Sequence, residues 1–280
     1  MTAGWKLMKR LQAIEIRQIF LASILLGSLL IAGCAQFKAA AKKDPYEGAT
    51  FLPEYTQIGW LWTDGDKEPI PYVPREGDIL FTSTIARTQT FLYRVIGHIG
   101  LPHHMMIVVK NSAGQLGIFE VGAGTDKKAT IRPVRGRLKR HKEIYNGSVV
   151  DIRQIKRALT PEESQRLTCF AESQVGKSFS SFRDISKLGH PDRPIKTNGS
   201  DTETWFCSQL VIHALTDCGL IRCLKNAGQL VPEDAYHDDE YDFSGLWTRP
   251  HDWTYEPEPT TLRPLRDPTR IANDSPRKLR

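Results

Sequence analysis

Two short apolar runs near the middle of the chain are separated by a polar turn. Residues 105–109 and 116–121 are almost entirely apolar, whereas residues 111–114 read Asn-Ser-Ala-Gly. Short apolar runs on either side of turn-forming residues are typical of a β-hairpin. The pattern predicts an antiparallel hairpin. Residues 79–82, after a Gly-Asp turn, and 148–152 predict two further strands.

The segment after residue 160 changes to the spacing of a helix. Thr160 is a good N-cap, Pro161 suits the first helical position, and Glu163 completes a capping box. Gly176 is expected to end this helix. Its predicted apolar face consists of Leu167, Phe170, Ala171 and Val175.

A second helical pattern begins beside a cysteine. Apolar residues at 210, 211, 214, 215 and 218 recur at helical spacing, and Gly219 is a plausible end. Cys207 lies at the start of this pattern, where a helix N-terminus stabilises a thiolate. A single cysteine on a helix is more often a core residue. Cys207 is therefore a nucleophile candidate only if a base and an orienting group accompany it.

The N-terminal 33 residues have the pattern of an export signal. A basic stretch precedes the apolar residues 19–32, a run too short for a confident membrane span. Small residues before Cys34 resemble the bacterial lipobox, which implies a lipidated mature N-terminus at Cys34. Ala35, rather than Asp, favours the outer membrane. A plain membrane anchor and an ordinary cleaved signal are the alternatives.

The rest of the chain divides into an arm, a folded body and a tail. Residues 34–70 lack periodicity and predict a tether and N-terminal arm, and the folded domain is expected over 71–245. Within it, residues 88–96 are expected to be helical. The long polar segment 177–204 is a candidate lid. Residues 246–280 are rich in proline and predict a partly disordered C-terminal arm.

Composition indicates an ordinary globular domain. The chain has 280 residues, 40% hydrophobic and 25% charged, with a net charge of +6. Removal of residues 1–33 would leave a net charge of +3, so no nucleic-acid partner is expected. The basic run over 132–142 could touch an anionic surface, but such runs are usually solvated faces.

The remaining cysteines and histidines do not specify a metal site. With Cys34 assigned to lipidation, Cys218 and Cys223 are the most plausible disulfide pair, although their spacing does not require one. The chain has no Cys-x-x-Cys motif. The cluster of His98, His103 and His104 lacks a well-spaced fourth ligand, so neither a metal nor another cofactor is expected.

A catalytic constellation follows from the predicted hairpin. His104 stands at the outer end of its first strand and Glu120 near the outer end of its second, so antiparallel pairing brings them together. A cysteine nucleophile needs a proton shuttle and a group that orients the shuttle. Cys207, His104 and Glu120 are the candidates for these three roles.

Four sequence blocks, together with their order, resemble a known family. They are Gly-Asp-Ile-Leu-Phe at 77–81, His-Met-Met-Ile-Val at 104–108, Phe-Glu-Val-Gly-Ala-Gly at 119–124 and Trp-Phe-Cys-Ser-Gln-Leu-Val at 205–211. Together they resemble the circularly permuted NlpC-type, papain-like amidases of the YaeF and YiiX group, and residues 231–234 resemble the turn that follows the nucleophile helix. The resemblance implies an α+β fold in which a small antiparallel sheet packs against that helix.

The resemblance also implies the roles of the site residues. Cys207 would be the nucleophile, His104 the general base and acid, and Glu120 the orienting residue, although His103 departs from the small or polar residue usual before the histidine. The expected activity is that of a lipid-anchored cysteine amidase or peptidase of the bacterial cell envelope, acting on peptidoglycan peptides or related amides.

Two alternatives stay open. The first is a lipid amide or ester hydrolase or acyltransferase, which the apolar stretch 96–106 would suit. The second is a lipoprotein that only binds its ligand.

Overall fold

The computed structural model describes residues 49–51, 55–62, 68–83, 101–122, 127–144, 149–180, 203–222, 231–238 and 243–255. All of them belong to one compact unit formed by Tyr46–Ala123 and Lys127–Arg280. The strands are β1 (Gly59–Trp62), β2 (Ile70–Tyr72), β3 (Ile79–Ser83), β4 (His104–Lys110), β5 (Leu116–Glu120), β6 (Thr130–Pro133), β7 (Val149–Arg153), β8 (Ser178–Phe179), β9 (Thr204–Trp205) and β10 (His251–Thr254). The helices are α1 (Val134–Ile144), α2 (Pro161–Gln174), α3 (Cys207–Asp217), α4 (Pro232–His237) and α5 (Phe243–Leu246).

The fold is α+β and is organised around one large sheet. Eight of the described strands form this sheet in the order β2-β1-β10-β7-β3-β4-β5-β6. Every neighbouring pair in it is antiparallel. The expectation of a small sheet is therefore corrected to an eight-stranded one. Strands β8 and β9 form a separate parallel pair, which joins the two ends of the polar segment 177–204.

Helices cover both faces of this sheet. Alternate residues of β3, β4 and β5, such as Phe81, Ile107 and Phe119, pack in one core cluster with residues of α2 and α3. The intervening residues, such as Val108, pack in a second cluster with residues of α1. A strand that is covered on both faces reads as a continuous apolar run. This explains why residues 105–109 show no alternation and are all fully buried.

The predicted hairpin and the helices predicted after residue 160 and beside Cys207 are confirmed. Strands β4 and β5 pair with Ile107 opposite Phe119. Helix α2 has the capping box of Thr160 and Glu163. The predicted apolar face of α2 differs at its end, because Val175 is the exposed C-cap and Gln174 is buried instead.

The folded body extends beyond residues 71–245 at both ends. Strand β1 and the first residue of β2 lie in the segment that the sequence assigned to an N-terminal arm, and β10 lies in the predicted C-terminal arm. Strand β10 is a central strand with Trp253 fully buried. Pro250 precedes this strand and therefore removes no hydrogen bond from its interior. Four-residue strands with few aliphatic side chains give too little pattern to recognise.

Two other segments also differ from expectation. The basic run contains helix α1, and residues 232–237 form helix α4 rather than a turn. No helix among the described ranges is long and apolar enough to cross a membrane. The predictions for residues 1–48, including lipidation at Cys34, lie outside the described residues, as do those for 88–96, His98, Cys223, most of 177–204 and 256–280.

Candidate active site

The N-terminus of helix α3 positions Cys207. Phe206 is the extended N-cap, and Cys207 is the first helical residue. The Oε1 atom of Gln209 accepts a hydrogen bond of 3.3 Å from the Phe206 backbone N–H. Gln209 therefore performs the capping that a Glu or Gln at the third helical position provides. Because this bond ties Gln209 back to the N-cap, it stabilises the first turn that carries the thiol.

The two residues before this helix, Trp205 and Phe206, are buried aromatic residues that contact the core. The indole Nε1 of Trp205 donates a hydrogen bond of 3.2 Å to Oε1 of Gln174 at the end of α2. The Phe206 ring packs edge to face against Phe179, with 5.9 Å between ring centroids. These contacts fix the two residues immediately before Cys207. The position of the thiol is therefore set by the core.

The hairpin brings His104 and Glu120 into contact. His104 opens β4 and Glu120 ends β5. The pairing of Ile107 with Phe119, continued by one residue, sets Glu120 opposite Met106 and diagonal to His104. The His104 Nε2 and Glu120 Oε2 atoms are 2.9 Å apart. Of the adjacent histidines 103 and 104, it is His104 that makes this contact, as the sequence pattern favoured.

The Cys207 thiol completes the group. It is hydrogen-bonded to the His104 side chain and accepts hydrogen bonds from the backbone N–H groups of Met105 and Ser208. The His104 ring therefore contacts Glu120 through Nε2 and also contacts the thiol. Cys207 is 9% exposed. The structure therefore brings together the three residues that the sequence proposed for the site, with His104 between the other two.

The charges in this group favour a thiolate beside an imidazolium. Burial by itself raises the pKa of Cys207, but the His104 charge and the hydrogen bonds to the sulfur lower that pKa below its usual value. Burial by itself lowers the pKa of His104, but the thiolate and Glu120 raise it to about 9. A thiolate beside an imidazolium provides a nucleophile and a proton donor in direct contact.

Arg137 is a site residue that the sequence interpretation missed. Its Nε donates to Oε1 of Glu120, and its Nη2 donates to Oε2 over 2.8 Å. Its side chain is only 13% exposed, so this part of the basic run is not a solvated face. Burial raises the pKa of the Glu120 carboxyl, but the charges and hydrogen bonds of Arg137 and His104 together outweigh burial and hold that pKa well below its usual range.

A second residue of α1 lies beside this carboxylate. His141 is 5% exposed, and burial together with the positive charges of Arg137 and His104 lowers its pKa to about 3. Its ring is therefore neutral at physiological pH. A sequence signal for this face existed: Val134, Leu138 and His141 recur at helical spacing and all three are buried.

The other described cysteines lack the surroundings of Cys207. Cys169 is exposed, and Cys218 is buried with its pKa raised to about 11 by burial. Neither Cys169, Cys207 nor Cys218 forms a disulfide with a described residue. Within the described part of the chain, no group of three or more His, Cys, Asp or Glu side chains is arranged to hold a metal ion.

Comparisons with known proteins give little further information. No family model and no curated protein matches the chain. The crystal structure of metalloprotein YiiX from Escherichia coli O157:H7 is similar at 16% identity, over 68% of this chain and 93% of that one, with a TM-score of 0.36. A similarity of this size establishes neither a shared fold nor a shared activity. The term metalloprotein describes YiiX.

Proposed function

We propose that this protein is a cysteine hydrolase that cleaves amide bonds, with Cys207 as nucleophile, His104 as general acid and base, and Glu120 as the group that orients His104. The supporting observation is the chain of hydrogen bonds from the thiol through the imidazole to the carboxylate. Its three members come from α3, β4 and β5, and each is held by the fold.

The proposed reaction is acyl transfer through a thioester. The Cys207 thiolate attacks the carbonyl carbon, and the tetrahedral intermediate collapses by breaking the carbon–nitrogen bond. The departing amine takes its proton from the His104 imidazolium. Water then attacks the thioester while neutral His104 accepts its proton, and the carboxylic acid leaves with the thiolate restored. Glu120 keeps the imidazole in the correct tautomer throughout.

The start of α3 also supplies a donor for the oxyanion. The backbone N–H of Cys207 belongs to the first turn of the helix, where N–H groups have no partner within the helix. A donor at this point can stabilise negative charge on the carbonyl oxygen of the intermediate. We assign it that role in the proposed reaction.

We further propose that the fold is a circularly permuted papain-like one. Two observations support this proposal: the nucleophile helix α3 packs against the sheet through a shared core, and the strands that carry His104 and Glu120 precede it in the chain. Nucleophile and base would then occur in the reverse of the papain order.

An amide of the cell envelope is the preferred substrate, and peptidoglycan peptides are the first candidates. The lipid alternative relied on an apolar stretch over 96–106. Met105 and Met106 of that stretch are fully buried and belong to the two cores, so they are not available to line a lipid site. The end of the stretch that the structure describes therefore gives no support to the lipid hydrolase or acyltransferase.

Thiol alkylation tests the catalytic assignment without a known substrate. The full chain would be treated with iodoacetamide at pH 6, and the labelled peptides quantified by mass spectrometry. Cys207 is expected to react faster than the exposed Cys169, because only Cys207 has an imidazolium partner. If Cys207 reacts no faster than Cys169, the nucleophile proposal is wrong. The alternative of a lipoprotein that only binds its ligand is then favoured.

Hydrolysis assays then separate the substrate classes. The protein would be incubated with peptidoglycan fragments, an N-acyl amide and a phospholipid ester, and release of amine or acid measured. Turnover of the peptide amides that is lost in Cys207→Ala supports the proposal. Turnover confined to the lipid substrates would assign the protein to the alternative enzyme class.

Membrane attachment is tested separately. We propose that Cys34 is lipidated and anchors the protein to the envelope, on the lipobox-like residues that precede it. Cys34→Ser is expected to move the protein from the membrane fraction to the soluble fraction of cells. Unchanged membrane attachment of this variant would contradict lipidation at that residue.

A further inference from the structure

The carboxylate of Glu120 lies between His104 and a cation from a different element. His104 contacts it from β4, at the open end of the hairpin. Arg137 contacts it from α1, which packs on the sheet through Val134 and Leu138. Both Arg137 donors engage the carboxylate, one on each oxygen. This is the two-point geometry that fixes the plane of a carboxylate as well as its position.

We propose that Arg137 is a positioning residue of the active site, which acts on His104 through Glu120. The inference rests on the proposed function and deepens it, because it adds α1 to the elements that build the site. With one oxygen held by Nε and the other by Nη2, the carboxylate cannot rotate away from the imidazole. Oε2 therefore stays directed at Nε2 of His104, and the ring keeps the orientation in which it contacts the thiol.

Arg137 also keeps Glu120 ionised. Among the described residues, the charged and titratable groups that interact with this carboxylate are His104 on β4 and Arg137 and His141 on α1; the residue opposite it on β6 is Thr130, which does not titrate. His141 is neutral, so it cannot replace the charge of Arg137. Without Arg137, burial would favour the protonated acid, which gives His104 no counter-ion.

The basic character of α1 alone does not explain this arrangement. Arg135 on the same helix is exposed and donates to the Tyr255 hydroxyl over 2.5 Å. Lys139 is 58% exposed and lies 3.9 Å from Glu143. Those side chains fit the solvated face that a basic run usually forms. Arg137 is the member of this run whose guanidinium reaches the carboxylate of the site.

The test compares Arg137→Met, Arg137→Lys and the matched control Arg135→Met, each in the full chain. The rate of Cys207 alkylation would be measured from pH 4 to pH 10. Arg137→Met is expected to react about 10- to 100-fold more slowly at pH 6, as for a misplaced catalytic group, with the acid limb of the profile moved to higher pH. In Arg137→Lys the acid limb of the profile should lie between those of Arg137→Met and the unmodified protein. Lysine supplies the positive charge but not the two-point hydrogen bonding of the guanidinium. Arg135→Met should match the unmodified protein.

If Arg137→Met folds poorly, the comparison of Arg137→Lys with the unmodified protein carries the test, and a double-mutant cycle tests the route through Glu120. In Glu120→Gln the carboxylate is gone, so adding Arg137→Met should change the alkylation rate by less than about twofold if Arg137 acts through Glu120. Equal profiles for Arg137→Met, Arg135→Met and the unmodified protein would overturn the inference. An unreactive Cys207 in the unmodified protein would instead overturn the proposed function, so the two failures are distinguishable.

Discussion

Two buried carboxyl groups of this protein have opposite surroundings. Asp78, immediately before β3, accepts hydrogen bonds from the Tyr72 hydroxyl and from the backbone N–H groups of Arg75 and Ile155, at 3.1, 2.9 and 2.9 Å. Glu120 instead contacts the charged side chain of Arg137 and the ring of His104. Burial dominates at Asp78 and raises its pKa to about 7, whereas the charge of Arg137 lowers the pKa of Glu120.

The difference shows which kind of partner makes a buried acid suitable for chemistry. Neutral donors satisfy the oxygens of Asp78 and tie the turn before β3 to β2 and to the residues after β7, but they do not compensate its charge. The guanidinium of Arg137 compensates the charge of Glu120. The Oε2 atom of Glu120 still contacts His104 as well. Asp78 is therefore a group of the fold, and Glu120 is proposed as a group of the active site.

The largest expected effect is the loss of hydrolysis rate when Glu120 is substituted. Glu120→Gln should slow hydrolysis by about 10²- to 10⁴-fold, because a neutral amide stabilises the His104 imidazolium poorly and can impose the wrong tautomer. Single-turnover rates on a responsive amide substrate would measure this effect. Asp78→Asn is the matched control, and a loss of the same size there would remove the distinction between the two acids.

Stability should respond to pH with opposite signs at the two acids. The pKa of Asp78 is raised from 3.8 to about 7, so its contribution is fully present below pH 3.8 and is lost as pH rises toward 7, by up to about 1.4 kcal/mol per pH unit. The pKa of Glu120 is lowered, so its contribution is lost as pH falls below 4.5. His141, with its pKa lowered to about 3, contributes a slope of opposite sign in both proteins, so the Asp78 slope should appear in the difference in urea unfolding free energy between the unmodified protein and Asp78→Asn from pH 4 to pH 8.

At fixed acidic pH, Asp78→Asn should itself be destabilising. One oxygen cannot accept all three of the hydrogen bonds that Asp78 accepts, so a buried donor is left unsatisfied at a cost of about 1–3 kcal/mol. Thermal unfolding at pH 5 would measure the loss. The alkylation rate of Cys207 is expected to stay unchanged, and a marked fall would mean that Asp78 contributes to the site.

The smallest effect should come from Tyr72→Phe. This change removes one neutral donor from Asp78 and leaves the Arg75 N–H on the same oxygen, so the loss is about 0.5–1.5 kcal/mol. The pKa of Asp78 should rise further, since the tyrosine hydrogen bond lowers it. Denaturant midpoints at pH 6 would measure the loss. A destabilisation larger than that of Asp78→Asn would show that the hydroxyl contributes more than this one hydrogen bond to Asp78.

The strongly patterned parts of the fold could be predicted from the sequence. The hairpin of β4 and β5 has long apolar runs around a clear turn, and α2 carries both a capping box and an apolar face. Each signal is local, so neighbouring residues are enough to recognise it. The predicted pairing of these two strands also places His104 near Glu120, because the turn determines the antiparallel register.

The missed parts depend on contacts between distant segments. Strand β10 has only four residues, and its place between β1 and β7 is set by pairing with chain about 100 and 190 residues away. Arg137 lies among several similar basic residues, and only the packing of α1 on the sheet directs it toward Glu120. Sequence spacing does not encode either arrangement.

The central position of β10 has a consequence for how the chain is assembled during synthesis. Of the described strands, β1 and β2 are synthesised before the others, but β1 joins the rest of the large sheet through β10, which is synthesised after all of them. Pairings over such separations give a high contact order and slow folding. Strands β1 and β2 can therefore pair with the main sheet only after residue 254 has left the ribosome.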